Sequence, residues 1–135
     1  MNLQDGNYQS GDYIVEYNYN RDAAGEVDYN TDADVENIRG KVLVNGGKYT
    51  SEYSWIYDNY GDVEVENMEV VVLDDDFVTE NYANARMLIH NATVRADDDL
   101  CDDNYGTLIL ESGDYKSGYG GTSAYLCRTW CCTRS

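Results

Sequence analysis

The 135-residue chain has no proline, one phenylalanine, one histidine and only nine lysines and arginines. Each scarcity excludes something. Without proline there is no Pro-rich linker and no rigid polyproline segment. With His90 as its single histidine, the chain has little of the residue most used for proton transfer near neutral pH. No apolar run approaches the ~20 residues of a membrane-spanning helix. The opening residues MNLQDGNYQSGDY lack the basic start and apolar stretch of a secretion signal. If Met1 is the native start, the expected location is cytoplasmic. If the chain is the mature part of a longer precursor, the expected location is extracellular.

Catalytic motifs are also missing. There is no G-x-S-x-G elbow, no P-loop, no G-x-G-x-x-G and no H-E-x-x-H. A glycosidase needs two placed carboxylates, but with 26 acids no pair can be singled out. His90 lies in an apolar, strand-like context, where a histidine is structural more often than catalytic. The reading is a protein that is not an enzyme.

What the chain has is acid and tyrosine. Twenty-six Asp and Glu give a net charge of −17, and fourteen Tyr accompany them. Residues 1–114 hold all 26 acids and six bases, a net of −20. Residues 115–135 hold no acid and three bases, Lys116, Arg128 and Arg134. One domain over residues 1–135 is expected, with the basic, Cys-containing segment 115–135 packed on the acidic body. Charge of this sign repels nucleic acid and anionic membranes and attracts basic proteins. Tyr in such excess over Phe suits a half-wet aromatic surface, because each hydroxyl needs a partner.

The dominant period is two, which predicts strands. Tyr13, Val15, Tyr17 and Tyr19 share one face of a first strand, and Tyr49, Tyr53, Trp55 and Tyr57 share one face of another. Asn45-Gly46-Gly47 between Val44 and the second aromatic strand predicts a tight hairpin. Residues 41–73 then read as a three-stranded meander. Asp-Asn-Tyr-Gly occurs at 58–61 and again at 103–106, each time just before a strand. Residues 74–85 suggest one short helix. The expected fold is mainly β: an antiparallel sandwich or barrel-like domain with hairpins. The alternative is a short β-solenoid, because VLVNGGKYTS, LIHNATVRA and LILESGDYKS look alike, as do VENI at 35–38 and VENM at 65–68.

Two acidic runs flank residues 77–96. They are Asp74-Asp75-Asp76 and Asp97-Asp98-Asp99 with Asp102 and Asp103. With Tyr53, Trp55 and Tyr57 they form the expected partner-binding surface. No cofactor is expected. Ca²⁺ is weighed as a ligand because carboxylates suit it, although neither run matches an EF-hand loop. Cys101, Cys127, Cys131 and Cys132 read first as buried free thiols. Disulfides come second and thiolate metal ligands, with His90, third. The sequon Asn91-Ala92-Thr93 is too common a pattern to decide compartment.

Three functions fit. The first is a non-enzymatic acidic protein that engages a basic protein surface, as a nucleic-acid mimic inhibiting a nucleic-acid-binding enzyme in the manner of anti-restriction and anti-CRISPR inhibitors. The second is an extracellular structural or adhesive β-protein, a filament subunit or carbohydrate-binding module stabilised by Ca²⁺ or disulfides. The third is a chain whose acidity keeps it soluble in brine and says nothing of partners. The first is the primary expectation, with no direct nucleic-acid binding, no membrane and an oligomeric state that composition leaves open.

Overall fold

The computed structural model describes residues 1–19 and 40–118, and the backbone of residues 132–134. Among them are thirteen strands and no helix. In chain order they are β1 (Asn2–Leu3), β2 (Asn7–Ser10), β3 (Val15–Asn18), β4 (Lys41–Asn45), β5 (Lys48–Ser51), β6 (Ile56–Asn59) and β7 (Asp62–Glu66). Then come β8 (Glu69–Val72), β9 (Val78–Asn81), β10 (Arg86–Ala96), β11 (Cys101–Asn104), β12 (Thr107–Ser117) and β13 (Cys132–Arg134). Every pairing is parallel, in a broad nine-stranded sheet and a narrow four-stranded one ordered β11-β9-β6-β3.

This is a parallel β-solenoid of about four turns, the alternative rather than the antiparallel sandwich. Strand partners lie one turn away. Lys41 pairs with Asp62, Asp62 with Arg86 and Arg86 with Thr107, steps of 21, 24 and 21 residues. The first step, Asn2 to Leu43, is 41 residues because 20–39 intervene. VLVNGGKYTS, LIHNATVRA and LILESGDYKS occupy equivalent places in their turns, with residues 63–72 in the turn between the first two. VENI at 35–38 lies outside the described residues.

In-register stacking turns alternation into continuous columns. Val42, Val63, Met87 and Leu108 form one, and Val44, Val65, Ile89 and Leu110 another, all buried. A single turn has no second layer to cover its apolar face, so neighbouring turns share one core. Each fully buried Val, Leu or Ile contributes about 1.5–3 kcal/mol. An inner strand donates and accepts along both edges, which leaves no place for a residue without an N–H.

The Asn-Gly signal was read correctly for its backbone and wrongly for its partner. Gly46 and Gly47 have φ of 82° and 100°, yet they turn the chain from β4 into β5 without folding one strand onto the other. Asn67, Asn91 and Ser112 repeat the corner with φ of 60°, 54° and 42°. Asn91 Nδ2 donates to Asn67 Oδ1 at 2.6 Å across two turns. The meander over 41–73 is therefore five short parallel-paired strands. The helix suggested at 74–85 is a corner, strand β9 and a second corner. There the acids line a turn, and Phe77 and Val78 are drawn into the core.

A second ladder closes the narrow side. Asn18 Nδ2 donates to Asn59 Oδ1, Asn59 to Asn81 and Asn81 to Asn104, at 2.8, 2.8 and 2.7 Å. All four are buried. Spare amide protons reach backbone carbonyls, including Thr107 O from Asn81 at 3.2 Å. The Asp-Asn-Tyr-Gly recurrence at 58–61 and 103–106 belongs to this corner. The glycine is required by close approach: a Cβ on Gly61 would lie 2.1 Å from Gly40 O, and one on Gly106 2.4 Å from Ala85 O.

Cys101 is a buried free thiol in β11. Cys127 and Cys131 lie outside the described residues, and only the backbone of Cys132 is described. Most of the segment 115–135 is likewise outside them. Among the described residues no helix is long and apolar enough to cross a membrane.

Candidate binding face

The narrow sheet breaks the strict alternation. In β6, β9 and β11 the first and last residues point inward and the two middle ones are half-buried at the surface. The outward pairs are Tyr57-Asp58, Thr79-Glu80 and Asp102-Asp103. Register stacks Tyr17, Asp58, Glu80 and Asp103 in one column. Strands stand about 4.8 Å apart, so three carboxyl groups of like charge lie one above another.

The electrostatic strain appears in the ionisation of the column. Burial, and then the charge of Glu80, push the Asp58 carboxyl up to about 7 from 3.8. The Tyr60 hydroxyl, donating to Asp58 Oδ2 at 3.5 Å, opposes the shift. Burial, and then hydrogen bonding with Glu80 and Tyr60, hold the Tyr82 hydroxyl above its ordinary range. The Asp103 charge raises Tyr105.

Corner acids extend the same side. Asp76 is 6% exposed and accepts the Asp99 N–H at 2.8 Å. Burial foremost, then Asp75, Asp102 and Asp98, raise its carboxyl to about 7 against that hydrogen bond. Asp75 accepts the Ser54 hydroxyl at 3.0 Å. Carboxylate oxygens of Asp76, Asp98 and Asp99 lie within 4.8 Å of one another. These are hard-cation ligands, but three are fewer than the six to eight that Ca²⁺ takes, so water would have to complete the shell.

Of the expected contact residues, Asp74, Asp75, Asp76, Asp97, Asp98 and Asp99 gather at the corners entering the narrow sheet, and Asp102 and Asp103 on β11. Tyr53 is exposed, and Tyr57 stacks on Tyr13 at 4.7 Å. Trp55 is a correction. It is wholly buried and stacked on Phe77 at 5.4 Å. The chain turns a corner between β5 and β6, so Tyr49 and Trp55 face the core while Tyr53 and Tyr57 do not. Sequence reading missed Asp12, Glu16, Glu52, Asp58 and Glu80 on this side. It also missed the tyrosine column Tyr19, Tyr60 and Tyr82, in which Tyr60 stacks on Tyr82 at 4.2 Å. The recurring Asn-Tyr pair at 18–19, 59–60, 81–82 and 104–105 was the available signal.

The segregation is complete among the described residues. The narrow sheet and its flanking corners, residues 11–19, 52–61, 73–85 and 97–106, carry thirteen carboxylates and no lysine or arginine. The five bases whose side chains are described, Lys41, Lys48, Arg86, Arg95 and Lys116, all stand on the broad sheet. His90 is there too, 3.1 Å from Glu66. No known protein family, curated protein or solved structure matches the chain.

Proposed function

We propose that the chain is a non-enzymatic acidic binding protein whose narrow sheet engages a basic protein surface. On this reading it competes with nucleic acid for a nucleic-acid-binding enzyme and inhibits it. The supporting observation is the thirteen carboxylates without a base along one side of a rigid solenoid. Among them Asp58, Glu80 and Asp103 stack about every 4.8 Å, and a duplex strand carries one phosphate per about 3.4 Å of helix axis. A partner built to neutralise evenly spaced phosphates meets a comparable array here, with tyrosine rings beside it for contact area.

The test is capture of partners from lysate of the source or its host at about 0.05 and 0.15 M salt, since screening grows strong over that range. Bound proteins are identified by mass spectrometry and challenged with duplex DNA. Recovery of one nucleic-acid-binding protein that DNA displaces, and that a Glu80→Gln/Asp103→Asn variant fails to capture, would support the proposal. Equal capture by that variant would sink it. A second reading, an extracellular adhesive β-protein, draws on the exposed rings of Tyr17, Tyr53 and Tyr105. Glycan binding without basic-protein binding would favour it.

A further inference from the structure

We propose that the groove lined by Tyr17, Tyr19, Asp58 and Tyr60 is a seat for the guanidinium group of an arginine side chain on the partner. This rests on the narrow sheet being the basic-partner face, and it adds which basic side chain is read and where. The groove is about 350 Å³. The Tyr19 ring stands at 73° to Tyr17 and at 82° to Tyr60, with centroids 6.0 and 6.4 Å away. Tyr17 meets Tyr57 at 70° and 6.2 Å. Mutually perpendicular rings offer π faces from more than one direction, the arrangement that holds a cation within about 6 Å of ring centres.

Asp58 decides which cation. Its Oδ2 accepts from the Tyr60 hydroxyl, which orients the carboxylate and leaves Oδ1 as an acceptor. A quaternary ammonium has no proton to give it. An ammonium donates but is compact and strongly hydrated. A guanidinium is planar, so it can stack on a ring while an N–H at its edge donates to a carboxylate oxygen. Glu80, next in the column, adds negative charge, and no described lysine or arginine stands on this side to compete.

The experiment is calorimetric titration of the full chain at a pH above the value of about 7 at which Asp58 ionises, with hexa-arginine and hexalysine peptides of equal charge at about 0.15 M salt. The expected result is about threefold to tenfold tighter binding of hexa-arginine. Tyr17→Ala should bring hexa-arginine down to the hexalysine affinity without changing hexalysine. Tyr17 is 46% exposed, so its truncation spares the core. Tyr17→Phe should retain the preference, since the ring supplies it. Asp58→Asn should remove it, and Val71→Ala on the broad sheet should leave it intact. An arginine preference that survives both Tyr17→Ala and Asp58→Asn overturns the pocket. Equal binding of both peptides to the unaltered chain overturns the pocket and spares the face. Failure of both peptides to bind removes the face and the pocket together.

Discussion

The broad and narrow sheets are made by the same turns of one solenoid, yet they treat charge in opposite ways. On the broad sheet, stacking alternates sign. Lys48 lies 3.7 Å from Glu69, Arg95 2.8 Å from Asp114, and Asp62 is in register between Lys41 and Arg86. On the narrow sheet, acid stacks on acid through Asp58, Glu80 and Asp103. Parallel in-register pairing places each residue beside its equivalent in the next turn, so a repeated acid repels itself at every step. The broad sheet shows how the fold avoids this. The narrow sheet accepts it, and at Asp58 and Asp76 neighbouring acids add to burial in raising the carboxyl pKa. A side that concentrates charge against stability is where a binding role is expected.

The largest effects should come from the shared interior. Trp55→Ala should remove about 3–5 kcal/mol of stability by urea unfolding. A small loss would return Trp55 to the surface and undo its separation from Tyr53 and Tyr57. Asn81→Ala should lower stability by about 2–3 kcal/mol, because Asn59 Nδ2 loses its acceptor and Asn104 Oδ1 its donor in a buried ladder. By contrast, Asn91→Gly, at an exposed corner whose φ glycine accepts, should change stability by no more than about 0.5 kcal/mol.

Acidity should sharpen the contrast next. With Asp58 and Asp76 at about 7 in the folded chain against 3.8 unfolded, the folded state binds more protons between those values. Stability should therefore fall as pH rises through that window. The melting temperature should be several degrees higher at pH 5 than at pH 7.5, and the reverse order would refute the assignment.

Single charges should act with opposite signs on the two sheets. Glu80→Lys, placing a cation between Asp58 and Asp103, should stabilise by about 0.5–1 kcal/mol and lower the Asp58 titration followed by NMR. Lys48→Glu, beside Glu69, should destabilise by about the same amount. The smallest change is Asp114→Asn. It breaks an exposed pair with Arg95 and should register about 0.5 kcal/mol or less in the same urea assay.

Much of this was legible in advance. The expected strands over 41–73 are present, with Val42, Val44, Val63 and Val65 buried, and Asn45-Gly46-Gly47 announced a left-handed backbone. The likeness of VLVNGGKYTS to LILESGDYKS was a true repeat. It was obscured by steps of 21 and 24 residues and by the 41-residue first step. Hairpin chemistry and solenoid-corner chemistry both use positive φ, so the local signal at Gly46 could not name the partner strand. The split of 62–73 at Asn67 was hidden because asparagine marks a left-handed corner less strongly than glycine and no glycine stands beside it. Asp58 and Glu80 were passed over because each is a lone acid in its own segment.

By itself, then, the sequence determined a β chain, acidic and tyrosine-rich, with inward and outward residues set by a period of two. That period is local: successive side chains of a strand must point opposite ways. Only the tertiary structure decided that the pairing is parallel and that the outward acids fall into one unbroken side. Those depend on where the corners lie and on register between residues some twenty positions apart. Neither is encoded in any one segment.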